Sequence, residues 1–292
     1  MKVHLIDGTY ELFRHFFAVP PHRGPGGIDV GAARGVLGSM IGLLEEGATH
    51  VGVATDHVIE SFRNELYPGY KTGEGIEPTL RAQFEPMEEV LEAAGFAVFR
   101  MVEFEADDGL AAAASVAAAD PRVEQVIICS PDKDLAQCVV GNEIVQFDRR
   151  KRTEYDAAGV REKFGVDPGS IPDYLALVGD NADGFPGLPG WGAKSASAVL
   201  GHYGTLEKIP ADPDTWSVKV RGAKKLSATL EAGRADAELF RTLARLSDVG
   251  PPVGHVDEWE WLGPADRFPE FAAAWGAPRL VDRANRLAAA RN

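Results

Sequence analysis

Between Glu105 and Asp134 the chain places five carboxylates in two short bursts, Glu105-Ala106-Asp107-Asp108 and Asp132-Lys133-Asp134, separated by a run that reads as a helix and then a strand. Gly109 to Ala119 is almost pure alanine with Leu110 and Val116, a composition of high helix propensity. Asp107 and Asp108 stand at its start, where negative charge suits the helix dipole. Asp120-Pro121 stops the helix, and Val126-Ile127-Ile128-Cys129 is an apolar, β-branched run of the kind buried in a parallel sheet. Ser130-Pro131-Asp132 is then the loop at the carboxyl end of that strand. Both bursts can meet at one edge of one sheet. Taken singly, acids at a helix start are caps and an Asp beside a Pro is a turn, so their meaning depends on what else the chain brings to that edge.

Two further strands run straight into an acid. Val3 to Ile6 ends on Asp7-Gly8 and His50 to Thr55 ends on Asp56, and the carboxyl ends of strands are where open α/β sheets bind ligands. Residues 9 to 18 carry an aromatic helical face (Tyr10, Phe13, Phe16, Phe17) with Arg14 among them, and Ala32 to Leu44 has helical spacing. A polar linker at Thr72 to Glu77, followed by a helix with Leu80, Phe84, Met87 and Val90, reads as a mobile element over a site. Ala97 to Phe99 and Glu143 to Phe147 supply further strands, and Asp148-Arg149-Arg150-Lys151-Arg152 reads as a charged hairpin turn. Strands alternating with helices predict a doubly wound α/β sheet, mostly parallel, with helices on both faces.

After about Gly165 helices take over. A short helix from Asp173 ends at Gly179, Asp180-Asn181-Ala182-Asp183 follows, and Gly184 to Gly192 forms a Gly/Pro hairpin feeding a helix from Ala193 to Leu200. Such a hairpin exposes backbone N–H groups on one surface, an arrangement that holds phosphates and reads shape over sequence. The tail from Pro210 carries Lys219, Arg221, Lys224, Lys225, Trp259 and Trp261 and a final helix from Arg279 to Arg291, and is assigned only to packing around the core.

A hydrophobic content of 45% over 292 residues supports one large or two small domains, while a formal net charge of −14 offers a polyanion no global attraction. A nucleic-acid ligand would have to be held by local basic patches and by cations that neutralise the acids. Cys129 and Cys138 form neither a disulfide framework nor a zinc pattern, which fits a reducing cytoplasm. The amino-terminal strand meets Asp7 too early for a secretion signal, and no apolar run approaches ~20 residues, so neither export nor membrane insertion is expected.

The ordered set resembles the 5′-nuclease or flap-endonuclease family, in particular its bacterial branch, the N-terminal 5′-nuclease domain of DNA polymerase I and its free-standing relatives. The residues that carry it are Ile6-Asp7-Gly8, the Asp56 strand exit with Phe62-Arg63-Asn64-Glu65-Leu66 and Tyr70-Lys71, the two acidic bursts, Gly179-Asp180-Asn181-Ala182-Asp183, and Gly187-Leu188-Pro189-Gly190-Trp191-Gly192-Ala193-Lys194-Ser195-Ala196. The resemblance implies a PIN-like core over residues 1–165 with a helical arch near 67–92. It also implies a helical region over 166–292 with a helix-hairpin-helix variant near 179–200 that holds duplex DNA. It implies that Asp7, Asp56, Glu105, Asp107 and Asp108 surround one divalent ion and Asp132, Asp134, Asp180 and Asp183 a second, with Asp107, Asp108 and Asp132 among the nearest. Lys71, Arg14 and Arg63 match basic positions near the reacting phosphate. Tyr70, Lys133, Gly187, Gly190, Gly192, Lys194 and Ser195 fall at DNA-binding positions, and the relatives suggest K⁺ at the hairpin. The chain departs from the family at Thr72-Gly73-Glu74, where a second basic residue is usual, and at Val58 and Glu60, where lysines are frequent. These departures imply a weaker grip on a 5′ single strand. With no polymerase region following, the expected enzyme is a separate polypeptide and, by default, a monomer.

Nine carboxylates in one cleft would raise each other's pKa unless cations lay among them. All-oxygen ligands favour Mg²⁺ or Mn²⁺ over zinc. The expected activity is two-metal hydrolysis of DNA phosphodiester bonds at 5′ flaps, nicks and free 5′ ends, in replication and repair. A PIN-like ribonuclease, a structure-specific DNA-binding protein with a decayed site, and a metal-dependent phosphatase are the rival readings.

Overall fold

The computed structural model describes residues 1–291. Along the chain β1 (Lys2–Asp7) leads through α1 (Gly8–Phe16) and α2 (Gly31–Glu45) to β2 (His50–Asp56). Helices α3 (Phe62–Leu66), α4 (Pro78–Arg81) and α5 (Phe84–Ala93) precede β3 (Ala97–Met101), and α6 (Ala106–Ala118) leads to β4 (Gln125–Cys129). Strands β5 (Ile144–Asp148) and β6 (Thr153–Tyr155) follow, then α7 (Ala157–Phe164), α8 (Ile171–Val178), α9 (Ala193–Tyr203), α10 (Ala223–Ala232), α11 (Arg234–Ala244), α12 (Phe268–Ala274) and α13 (Pro278–Arg291). The sheet ladders are mostly parallel, as the alternation of strands and helices predicts. These elements gather into two compact units: one made of Met1–Ile59, Gly73–Ser130 and the chain from Ser247 on, the other of Glu60–Thr72 and Pro131–Leu246.

The first unit is built on parallel strands in the order β3-β2-β1-β4, with Val3 opposite His50 and Val126, and Val53 opposite Val98. Every residue of β2 from His50 to Thr55 is buried, so both faces of that strand are covered. Helix α6 lies across β1, β2 and β4. Its buried stripe is almost entirely alanine (Ala111, Ala112, Ala113, Ala114, Ala117), small enough for the helix axis to come close to the sheet. Gly8 serves the same end: a Cβ there would stand 2.8 Å from Thr55 Cγ2 and 2.9 Å from the Ala54 carbonyl, so only glycine lets α1 leave β1 at once beside β2. The parallel register sets the carboxyl ends level, and Asp7, Asp56 and Ser130 come to one edge. The tail after Ser247 belongs to this unit. Trp259 packs edge-on against Phe99 at 5.5 Å, and the Trp261 indole N–H donates to the Ala94 carbonyl (2.8 Å).

Within the span 67–92, α5 is a packed helix: Phe84, Met87, Val90 and Leu91 are buried, and it lies against α2 and β3. Among the described residues no helix occurs between Leu66 and Pro78.

The second unit is helical apart from the antiparallel β5–β6 ladder, in which Phe147 faces Glu154. The expected charged hairpin turn is present. Asp148 accepts the N–H groups of Arg150 and Lys151 (3.0 Å each), and Arg152 takes a left-handed φ of 55°. The core joins Leu175 and Leu177 of α8, Phe185, Val199 of α9, and Phe240 and Leu243 of α11; Phe185 and Phe240 stack at 5.7 Å. Each fully buried side chain of this size contributes roughly 1.5–3 kcal/mol, so the turn that carries Phe185 is anchored as firmly as the helices around it.

Candidate metal centres and nucleic-acid interface

In the first unit the acids at the strand ends are tied to the backbone. Asp7 caps α1, its Oδ1 accepting the Tyr10 N–H (2.8 Å), while its Oδ2 accepts the Ser130 hydroxyl (2.8 Å) from the end of β4. Asp56 accepts the Ala106 N–H (2.8 Å) at the start of α6, and its own N–H donates to Thr9 Oγ1 (2.9 Å). Glu105 and Asp108 are buried and form a capping box at the head of α6. Asp108 Oδ2 takes the Glu105 N–H (3.0 Å) and Oδ1 the Ser247 N–H (2.8 Å). Asp108, expected among the acids nearest an ion, thus has both oxygens engaged by backbone donors and acts as an anchor. Asp107, one residue earlier, is half-buried.

A residue that sequence reasoning passed over steadies this edge. Glu88 of α5, fully buried, accepts the Thr55 hydroxyl (2.7 Å) and lies 2.8 Å from His57 Nδ1, bracing the two neighbours of Asp56. Its only signal was a lone Glu in an apolar helix stripe, which does not reveal what it faces.

The second unit holds a tighter cluster. One carboxylate oxygen each from Asp134, Asp180 and Asp183 lies within 4.8 Å of the others, and all three side chains are buried. Asp134 opens a 3₁₀ turn, and its N–H donates to Asp132 Oδ1 (3.2 Å); Asp132 itself is exposed and lies outside the triad. Asp180 and Asp183 sit in the loop after α8. There Asp180 and Phe185 exchange backbone hydrogen bonds (2.8 and 3.1 Å), and Asp180 Oδ1 accepts the Ala182 N–H. Two lysines answer the charge, Lys133 on Asp180 (2.6 Å) and Lys71 on Asp183 (2.9 Å).

The balance stays negative where it is most costly. Asp134 Oδ1 is buried with no hydrogen-bond partner among the described residues. Burial first, then the charges of Asp132, Asp183 and Asp180, push the Asp134 carboxyl well above the usual carboxylate range, and Lys71 offsets only part of this. Lys133 responds in kind: burial works to lower its pKa, but its hydrogen bond to Asp180 and the neighbouring acids carry it above the ordinary value. A buried, oxygen-only cluster with one orphaned carboxylate oxygen fits a hard divalent cation.

The basic residues divide. Lys71 is a third exposed and carries its charge at the cluster, with its own N–H on the Asp183 carbonyl (2.9 Å) and its carbonyl on Asn64 Nδ2 (2.9 Å). The Asn64 bond ties the Phe62-to-Leu66 motif to Tyr70-Lys71. Arg63 is 1% exposed, and its guanidinium donates to the Leu243 (2.8 Å) and Arg245 (3.0 Å) carbonyls at the end of α11, so the expectation of a phosphate contact gives way to a structural one. Tyr70 is likewise corrected: at 4% exposure its ring belongs to the core and is not offered to a base. Arg14, in the first unit, is paired with the buried carboxylate of Glu11.

The Gly/Pro hairpin forms as expected, for a steric reason. Gly179 (φ 79°) and Gly187 (φ 68°) pass so closely that a Cβ on Gly187 would lie 2.3 Å from the Gly179 nitrogen. Ser195 closes the start of α9, exchanging hydrogen bonds with Gly192 (3.1 and 3.0 Å), so its hydroxyl serves the cap. Lys194 is exposed in the first turn, and Gly190 and Gly192 leave the backbone bare. A cavity of about 640 Å³ opens there, lined by Gly190, Gly192, Lys194, Lys219 and Arg221. Lys219 and Arg221 were left without a role in the tail; the basic run from Lys219 to Lys225 was the signal that could have placed them.

A parallel sheet with acids at its strand ends, joined in sequence to a helical unit with a buried acidic triad and a Gly/Pro hairpin, is a nuclease-like scaffold. Residues 2–165 match the 5′-3′ exonuclease N-terminal resolvase-like domain, and residues 166–266 match the 5′-3′ exonuclease C-terminal SAM fold. The chain belongs to the 5′-3′ exonuclease family. It is 34% identical over 225 residues to the 5′-3′ exonuclease of Aquifex aeolicus, covering 76% of this chain and 77% of that one. It is 37% identical over 252 residues to DNA polymerase I of Pseudomonas aeruginosa, covering 83% of this chain and 27% of the polymerase. Among solved structures the fold is similar to T5 5′-exonuclease with bound zinc (TM-score 0.67, 20% identity, 98% of each chain). It is also similar to the catalytic core of Rad2 in complex with DNA substrate (TM-score 0.59, 17% identity, 98% of this chain and 91% of that one).

Proposed function

We propose that the protein is a structure-specific 5′ nuclease that hydrolyses phosphodiester bonds of DNA at 5′ flaps, nicks and free 5′ ends, acting as a monomer. The observation that carries this is the buried triad of Asp134, Asp180 and Asp183 with its orphaned carboxylate oxygen. In this reading Asp134, Asp180 and Asp183, with Asp132 beside them, hold one divalent ion, Mg²⁺ or Mn²⁺. Asp7, Asp56, Glu105 and Asp107 hold a second. Divalent ions so held would supply a water of lowered pKa and neutralise charge building on a phosphate.

The chain's own residues do the rest. Lys71, part-exposed beside Asp183, would add positive charge where negative charge develops on the scissile phosphate. The non-helical stretch between Leu66 and Pro78 forms the arch over a 5′ strand. The backbone N–H groups of Gly190 and Gly192 and the charges of Lys194, Lys219 and Arg221 bind duplex phosphates, reading shape without sequence; K⁺ at the hairpin would reinforce them. Lys133 pairs with Asp180 and holds its carboxylate in place. Among the described residues no helix is long and apolar enough to cross a membrane.

The test is product-length analysis on a 5′-flapped, nicked DNA duplex and its RNA counterpart, with Mg²⁺ and with Mn²⁺. Cleavage of the DNA near the flap junction that stops on chelation is expected. Cleavage of RNA alone would favour a ribonuclease, and metal-dependent binding without cleavage would sink the enzyme reading. Lys194→Ala should weaken duplex binding several-fold and reduce its salt slope by about 1.

A further inference from the structure

In the sheet unit, between the loop after α1, α2 and the start of α13, lies a cavity of about 770 Å³ that takes no part in the proposed reaction. It is lined by Arg34 of α2 and by Arg279 and Arg283 of α13, with His22 beside them and no acidic residue, in a chain where acidic side chains outnumber basic ones 44 to 30. Arg283 is balanced by Glu45 (2.7 Å). Arg34 and Arg279 have neither an ion pair nor a side-chain hydrogen bond among the described residues, although Arg34 is half-buried. Arg279 also stands in the first turn of α13, the end of a helix at which a cation is disfavoured. A half-buried guanidinium and an exposed one, both unpaired and lining the same concavity, are what a bound anion would stabilise.

The floor carries a second, independent sign. Gly31, Gly35 and Gly38 fall on one face of α2, and all three line the cavity. Gly31 and Gly35 are explained by packing, since a Cβ on either would stand within 2.8 Å of a neighbour. Gly38 is not: a Cβ there would meet nothing within 4 Å, so a glycine that weakens the helix is kept where the protein alone has no need of one. It leaves a bare backbone beside the arginines. Val19, Pro20 and Leu280 provide an apolar wall, and the volume lies in the range of pockets for ligands of nucleotide size.

We propose that this cavity binds a nucleoside monophosphate, its phosphate against Arg34 and Arg279 and its sugar and base along the Val19–Pro20 wall over Gly38. None of these residues belongs to the acidic clusters, so the site stands or falls apart from the nuclease reading.

The experiment is calorimetric titration of the full chain in EDTA with dAMP, deoxyadenosine and inorganic phosphate. Saturable binding of dAMP, no binding of deoxyadenosine, and displacement of dAMP by phosphate at higher concentration are expected. Arg34→Gln and Arg279→Gln should each weaken dAMP about tenfold or more. Gly38→Leu, a helix-compatible change, should abolish binding while leaving the melting temperature unchanged or higher. No saturable dAMP binding, equal binding of deoxyadenosine, phosphate binding without dAMP binding, or undiminished affinity in folded Arg34→Gln and Arg279→Gln proteins would each overturn the assignment. Flap cleavage, measured separately with metal, reports on the nuclease reading alone.

Discussion

The two acidic groups of this protein are built on opposite principles. At the sheet edge Asp7, Asp56 and Asp108 are satisfied by backbone N–H groups and the Ser130 hydroxyl at 2.8–3.0 Å, so their negative charge is part of how the unit folds. In the helical unit Asp134, Asp180 and Asp183 are buried within 4.8 Å of one another, answered by two lysines and still short of charge. Acids of the first kind organise helix starts whether or not a cation is bound. Those of the second kind crowd buried charge that the fold answers only in part. Sequence alone scores both groups as acids near a loop.

The sharpest way to break this comparison is Asp134→Asn. It should lower flap cleavage on the order of a thousandfold and at the same time stabilise the metal-free protein at neutral pH, because it removes a buried charge without removing volume. The sign follows from linkage. The folded-state pKa of Asp134 is raised, so the native state binds the proton more tightly than the unfolded chain, and metal-free stability falls as pH rises from the ordinary carboxylate range toward the raised value. The melting-temperature advantage of Asp134→Asn over wild type in EDTA should therefore grow from pH 4 to pH 7. An advantage independent of pH would mean that Asp134 is not desolvated as described.

Lys71→Ala comes next, with cleavage down about a hundredfold and little change in melting temperature, since the Lys71–Asp183 pair is part-exposed and screened. A large fall in stability would place Lys71 among the structural cations with Arg63. Asp108→Ala should behave in the opposite way. Loss of the capping box and of the Ser247 hydrogen bond should cost about 2 kcal/mol at neutral pH, read as a lower denaturation midpoint with or without Mg²⁺. The smallest effect is expected for Ser130→Ala, about 1 kcal/mol through Asp7 at neutral pH, read as a lower denaturation midpoint with or without Mg²⁺. If Ser130→Ala left that midpoint unchanged, the contrast between the groups would have to be abandoned.

Much of this was legible before the fold was known, because it rests on local chemistry. Strand runs ending in Asp7 and Asp56, an alanine helix headed by acids, and a Gly/Pro hairpin before Ala193 each obey short-range rules of propensity, capping and turn geometry, and each element formed within a few residues of where those rules put it. What the rules leave open is which way a side chain faces and what lies opposite. Arg63 and Tyr70 carry the residue types of a nucleic-acid contact, yet packing turned one to the carbonyls of α11 and the other into the core. Lys219 and Arg221 stand out in the sequence only as basic residues of the tail, and the chain folded them beside the hairpin of Lys194. The division between acids held by the backbone and acids left to a cation depends on desolvation, set by every atom around a carboxylate. The chain's local grammar therefore determined where the acids stand, and only the tertiary structure decided which of them are short of a partner.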